Sequence, residues 1–165
     1  MPRRILFTVC LVLGLLPTFS VGAADTRSPS ADAAELKTRM FELAQQHHVA
    51  AGCKPWARDA RLDRAVQLHA EEIARRKRVS QVGADGSRVR DRARHQGYPA
   101  NRATESIALY KTPEASVKFW MSEPPNGPHR RNITWCQYTD AGVGVAYDNR
   151  GVAWWVMDYA NQAPK

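Results

Sequence analysis

The stretch GVGVAYDNRGVAWWVMDY, residues 142–159, decides the fold. Residues 142–147 and 152–159 are runs of apolar, β-branched and aromatic residues. Between them, Asp148-Asn149-Arg150-Gly151 is turn chemistry, so the whole reads as a β-hairpin. In the second run Val152, Trp154 and Val156 face one way while Ala153, Trp155 and Met157 face the other. Both faces are therefore apolar, and a sheet of that kind must be covered on both sides.

Working outward, the chain supplies that cover. From Asp32 to about His48, Leu36, Met40, Leu43 and Ala44 recur at helical spacing, and from Arg61 to Arg76 Leu62, Val66, His69 and Ile73 form one stripe. Gly52 and Pro55 separate the two helices. Ser87 reads as the N-cap of a short helix that ends at Gly97, a natural residue for the position after a helix. Residues 103–110 read as a strand. Thr112-Pro113 opens a further helix to about Met121, with threonine as cap and proline at the first helical position. The expected class is α+β, an α-β-α sandwich with a central antiparallel sheet between helical layers.

The N-terminus is organised differently. Arg3 and Arg4 precede an apolar run from residue 5 to 16, then Pro17 and the small residues Gly22, Ala23 and Ala24. This pattern is a secretory signal peptide over residues 1–23, too short in its apolar part to span a bilayer. Residues 24–31 read as a flexible polar segment and residues 32–162 as a single domain. Cleavage removes Arg3 and Arg4 but no acid, so the formal charge of +8 falls by two units and stays basic. A basic surface attracts anionic envelope polymers without specificity. No nucleic-acid motif accompanies it, so no specific nucleic-acid partner is expected.

Cleavage also removes Cys10 and leaves Cys53 and Cys136. In an oxidising compartment two cysteines suggest one disulfide, here closing a loop of about 80 residues and contributing about 4 kcal/mol on the chain-entropy view. Two separate buried thiols are the alternative.

Several segments in order carry a resemblance. They are Leu68-His69-Ala70, Asp85-Gly86-Ser87, Asp91-Arg92, Gly97-Tyr98, Glu105-Ser106-Ile107 and Trp120-Met121-Ser122. Then follow His129-Arg130-Arg131-Asn132-Ile133, Tyr138-Thr139, Gly142-Val143-Gly144-Val145 and Trp154-Trp155. The string resembles the CAP superfamily of cysteine-rich secretory, antigen 5 and pathogenesis-related proteins, in its compact bacterial single-domain form. The resemblance implies a concave site of two histidines and two acids that sometimes holds zinc. Here those positions carry over as Gln81, Asp91, Glu105 and His129. The first histidine is replaced by Gln81, and Ser106 stands where asparagine usually follows the glutamate. A carboxamide is a poor zinc donor, so any divalent metal would rest on His129 with the two acids. His95 could substitute only if its helix turned it inward.

Read without the resemblance, these residues have plainer roles. His69 on a helix stripe is a hydrogen-bonded core residue, and His47 and His48 complement a helix C-terminus. His129 follows a proline-glycine loop, where functional polar groups concentrate. Glu105 lies among apolar residues and needs a partner or a raised pKa if buried. An outward-facing edge position is its alternative. The tryptophans read as core, and Asn132-Ile133-Thr134 as a structural turn that happens to match a glycosylation sequon.

The expected function is an extracytoplasmic binding or scaffolding module, secreted or periplasmic. The resemblance implies a groove that would take a small apolar ligand such as a lipid or sterol-like molecule, an envelope polymer or a protein partner. A hydrolase pairing His129 with Asp91 or Glu105 as acid and base is the alternative. No Gly-x-Ser-x-Gly nucleophile motif supports it.

Overall fold

The computed structural model describes residues 29–164. The signal peptide expected over residues 1–23 lies outside the described residues. The elements in chain order are α1 (Pro29–Ala50), β1 (Ala57–Arg58), α2 (Ala60–Arg76), α3 (Val89–His95), β2 (Ala100–Ala108), α4 (Pro113–Met121), α5 (Pro128–Thr134), β3 (Asp140–Tyr147) and β4 (Ala153–Gln162). Among the described residues no helix is long and apolar enough to cross a membrane.

The hairpin forms as read, with β3 and β4 antiparallel and Val145 opposite Trp155. β2 joins the other side of β4, also antiparallel, and the sheet order is β1-β3-β4-β2. The sheet is mixed rather than wholly antiparallel, because β1 pairs with β3 in parallel at Ala57 and Arg58. Two residues carry no periodicity that a sequence could reveal.

The period-2 alternation of β4 sorts the core into two layers. Trp155, Met157 and Tyr159 pack with Met40, Phe41, Trp120 and Ile133 beneath α1, α4 and α5. Trp154 and Val156 pack on the opposite face with Val66, Ala70 and Ile73 of α2. Fully burying an aliphatic side chain such as Leu62, Val66 or Ile73, all at 0% exposure, contributes roughly 1.5–3 kcal/mol. α2 lies directly on β3 because Gly142 and Gly144 have no side chains. A Cβ at Gly142 would meet the backbone of Leu62 and Asp63 at 2.6 Å, and one at Gly144 the carbonyl oxygen of Val66 at 2.7 Å.

This closeness lets α2 seal the sheet edge that the short β1 leaves open. The Asp63 carboxylate accepts the Val143 N–H (2.8 Å). The Gln67 amide accepts the Val145 N–H (3.2 Å) and donates to the Val145 carbonyl (2.9 Å). An unpaired strand edge otherwise invites another strand, so these side chains close it.

Boundaries differ where local chemistry overrides pattern. α1 begins at Pro29, so residues 29–31 of the expected flexible segment are helical; proline at a first helical position costs no hydrogen bond. The short helix is capped by Arg88 rather than Ser87, its Asp91 carboxylate accepting the Arg88 N–H (3.0 Å). Gly97 follows it with φ +82°, as expected. α4 starts as read, with the Thr112 hydroxyl accepting the Ala115 N–H (3.2 Å). β2 begins at Ala100 and ends at Ala108, leaving Leu109 and Tyr110 outside.

Cys53 and Cys136 are joined across 83 residues, tying the α1–β1 connection to the α5–β3 connection. Cys53→Ser is expected to lower stability by about 4 kcal/mol in chemical denaturation. Gly144→Ala, which forces α2 off β3, is expected to cost about 1–3 kcal/mol. An unchanged unfolding midpoint in either variant would contradict its account.

Candidate functional site

Glu105 on β2 and Asp158 on β4 are directly opposed in the ladder, and both are wholly buried on the α2 side. Arg92 reaches in from α3, with Nη2 2.9 Å from Glu105 Oε2 and Nη1 donating to the carbonyls of Gln81 and Ser87 (3.1 Å each). The His69 Nε2–H donates to the Ser80 carbonyl (2.9 Å) and lies 3.6 Å from Glu105 Oε1. His69 is thus the hydrogen-bonded core histidine its place on the α2 stripe suggested.

Burial pushes Asp158 up to about 7, and burial together with the charge of Asp158 holds Glu105 well above the usual carboxylate range. Burial, reinforced by Arg92, keeps the His69 imidazole below its ordinary value and so neutral. One guanidinium then faces two carboxyl groups. Two full negative charges here would leave one uncompensated in a low-dielectric interior, so the pair retains a proton. That proton also supplies the donor otherwise missing, since neither Asp158 oxygen has a hydrogen-bond partner among the described residues.

Above this cluster the loop between α2 and α3 is pinned from α2. It leaves through Lys77, which adopts a left-handed conformation (φ 51°), and is held by His69 at Ser80 and by Glu72, whose carboxylate accepts the Ala84 N–H (2.6 Å). The loop carries Gln81 to β2, where its Nε2 donates to the Glu105 carbonyl (3.0 Å). Asn132 of α5 donates to the same carbonyl (3.2 Å) and to the Ser106 hydroxyl (3.3 Å). Between α3 and β2 lies an open cleft of about 450 Å³, walled by Gln81, residues 88–91, residues 101–105 and Tyr138.

Three of the four expected site residues, Gln81, Asp91 and Glu105, therefore meet at one cleft. Their side chains are committed, however: Gln81 to a carbonyl, Asp91 to its own helix and Glu105 to Arg92. His129 is not among the cleft walls. It packs against Phe119 and Trp120, with ring centroids at 5.9 and 6.3 Å, and its Nε2 is 3.9 Å from Glu123 Oε1. Glu123 also accepts the backbone N–H groups of His129 (2.8 Å) and Arg130 (3.3 Å). Glu123 opens the proline-glycine loop ahead of His129, where sequence reading singled out the histidine alone. The signal available was an acid six residues ahead of a helix-opening histidine.

These contacts decide the question of zinc by donor chemistry. Zinc takes three or four imidazole, thiolate or carboxylate ligands in tetrahedral geometry. Gln81 points an amide N–H at a carbonyl, and His129 has Glu123 alone beside it. Among the described residues no three His, Cys, Asp or Glu side chains gather as a ligand set, so the family-type metal does not fit this arrangement. His95 is exposed on α3 and lines a separate recess with Glu72, Asp85 and Gln96, so it does not replace Gln81. Asn132 is buried and hydrogen-bonded, which makes the sequon structural. Trp120, Trp154 and Trp155 are core, whereas Trp135 is half-buried beneath the Arg102 guanidinium (5.6 Å).

The profile of the cysteine-rich secretory protein family matches residues 39–159. No protein of curated function matches the chain by sequence. Among solved structures, an outer surface protein of Borrelia burgdorferi superposes with a TM-score of 0.72 at 12% identity, covering 80% of this chain and 96% of that one. An extracellular protein of Bacillus anthracis containing an SCP domain gives 0.71 at 17%, covering 84% and 45%. A cysteine-rich secretory protein of Staphylococcus aureus gives 0.63 at 13%, covering 81% and 40%. The chain spans less than half the length of the last two, and at these identities the likeness is one of fold.

The buried carboxyl pair has a readable pH signature. Both groups have pKa values raised on folding, so the stability they confer is complete below the unfolded carboxylate value of about 4 and is lost progressively as pH climbs from there to about 7. His69 and Arg92 are common to wild type and Asp158→Asn, so the difference between the two isolates the pair. Between pH 4 and 7 wild type should lose stability relative to Asp158→Asn, on the order of 3 kcal/mol in urea titrations. Parallel pH profiles would rule out the shared proton.

Proposed function

Since the chain belongs to the cysteine-rich secretory protein family, we propose that it is an extracytoplasmic binding module whose partner occupies the cleft between α3 and β2. The supporting observation is the disposition of charged groups. The acids that could act as a general base are consumed internally, Glu105 by Arg92 and Asp91 by its helix, while the cleft wall carries the exposed arginines Arg88 and Arg90. A wall that is mostly polar, with Val89, Ala103 and Tyr138 as its apolar and aromatic members, favours a polar partner over the small apolar ligand anticipated from family resemblance. The signal peptide over residues 1–23 would deliver the chain outside the cytoplasm. The bridge between Cys53 and Cys136 suits an oxidising compartment.

The hydrolase alternative has one specific observation in its favour, the His129–Glu123 pair beside the exposed rings of Phe119 and Tyr110. General acid–base catalysis needs two groups within about 3 Å of one substrate atom. The pair supplies an orienting carboxylate for one imidazole, with Asp91 and Glu105 engaged elsewhere.

Two measurements separate the readings. Native mass spectrometry of the chain recovered from its own compartment should find a retained partner that is lost from Arg88→Gln/Arg90→Gln and kept by His129→Ala. Gln81→His should leave partner retention unchanged and confer no zinc-dependent rise in melting temperature. Partner loss on His129→Ala, or a zinc-dependent stabilisation of Gln81→His, would move the function to the histidine site.

A further inference from the structure

Side chains cover parts of both outer edges of the sheet, and Ala103 on the cleft wall is among the places they leave open. On the β3 edge Asp63 accepts the Val143 N–H and Gln67 bonds both backbone groups of Val145. On the β2 edge the Glu105 carbonyl accepts from Gln81 and Asn132, and the Ile107 carbonyl accepts from Trp120 Nε1 (3.2 Å). Alternate residues of an antiparallel edge strand direct both backbone groups outward. Glu105 and Ile107 belong to that outward set, and so does Ala103. Its β4 partner, Ala160, turns its carbonyl the other way, to the Thr139 N–H (2.9 Å). Ala103 is partly exposed on the cleft wall, and its outward N–H and C=O meet no partner among the described residues.

The side chains around this gap are cationic. Arg88 at the N-cap and Arg90 in the first turn of α3 are exposed, and their guanidinium groups form no ion pair or hydrogen bond among the described residues. Arg102 is held by Gln137 (2.7 Å) over the Trp135 ring. The acids of the wall are Asp91, which accepts the Arg88 N–H, and Glu105, neutralised from beneath by Arg92.

Resting on the cleft-binding reading above, we propose that the cleft takes an extended acidic peptide. The peptide pairs with the open edge of β2 at Ala103 and sets its carboxylates against Arg88 and Arg90. The arginines alone would accept any anion. The Ala103 pair discriminates, because it presents a donor and an acceptor together at strand spacing. A phosphate or a lipid headgroup would satisfy the N–H and leave the carbonyl facing an anion. Another peptide backbone satisfies both, which is strand addition to a sheet edge. Acidic side chains alternating along such a strand would reach the same wall, in keeping with its period of two.

The test uses the full chain, isotopically labelled, and a capped ten-residue peptide alternating glutamate and threonine. Its control is the same peptide N-methylated at alternate backbone positions, which keeps every charge and removes the donors. The expected result is amide shift changes centred on residues 101–105. Affinity should fall about tenfold or more with the methylated peptide, with Ala103→Pro and with Arg88→Gln/Arg90→Gln. The methylated peptide probes the backbone pairing without altering the protein, so a folding defect in Ala103→Pro leaves the test intact. Equal affinity for both peptides, equal competition by a polyphosphate of matched charge, or no binding of the unmodified peptide would each overturn the inference. Should the peptides fail while a non-peptide partner is still lost from Arg88→Gln/Arg90→Gln, the binding-module reading survives and the peptide proposal falls.

Discussion

The seating of α2 on the bare backbone of Gly142 and Gly144 is the contact on which the rest of the arrangement depends. Because no Cβ intervenes, the helix lies close enough for Asp63 and Gln67 to bond the β3 backbone. The loop after α2 is pinned to that same helix, by His69 at Ser80 and by Glu72 at Ala84. Gln81 is thereby brought to the β2 edge and Arg92 to the Glu105 carboxylate. The cleft wall is thus set by a helix-to-sheet distance some way behind it.

The interior beneath that wall follows a different logic. Glu105 and Asp158 could have been an apolar pair like Ile107 and Val156 one step along the ladder. Instead they hold a proton between them and use Arg92 as the only formal cation, with its remaining donors spent on the carbonyls of Gln81 and Ser87. Removing one partner of such a set leaves a buried charge, which costs far more than the set contributes as a whole. The cluster therefore specifies where α3 must sit more than it adds to stability.

The hairpin, the α2 stripe, the Thr112 cap and Gly97 were legible because each is local: period, turn chemistry or a cap within a few residues. β1 and α5 were not, the first for being two residues long and the second for opening at Pro128 straight out of a loop rich in proline and glycine. The candidate site was half legible. Gln81, Asp91 and Glu105 do share a cleft, but Asp158 as the partner of Glu105 depends on strand register, and Glu123 as the partner of His129 depends on how a loop folds back. Neither is encoded by spacing alone.

Closing a sheet with side chains instead of neighbouring strands has a consequence for self-assembly. Gln67 and Asn132 each cover an outward-facing stretch of backbone with one amide group. Apolar residues of similar size there would keep the packing yet bare a run of ladder groups, which is the template for edge-to-edge polymerisation. The same few amides therefore serve stability and solubility together, since a buried carbonyl left without its donor costs about 1–3 kcal/mol.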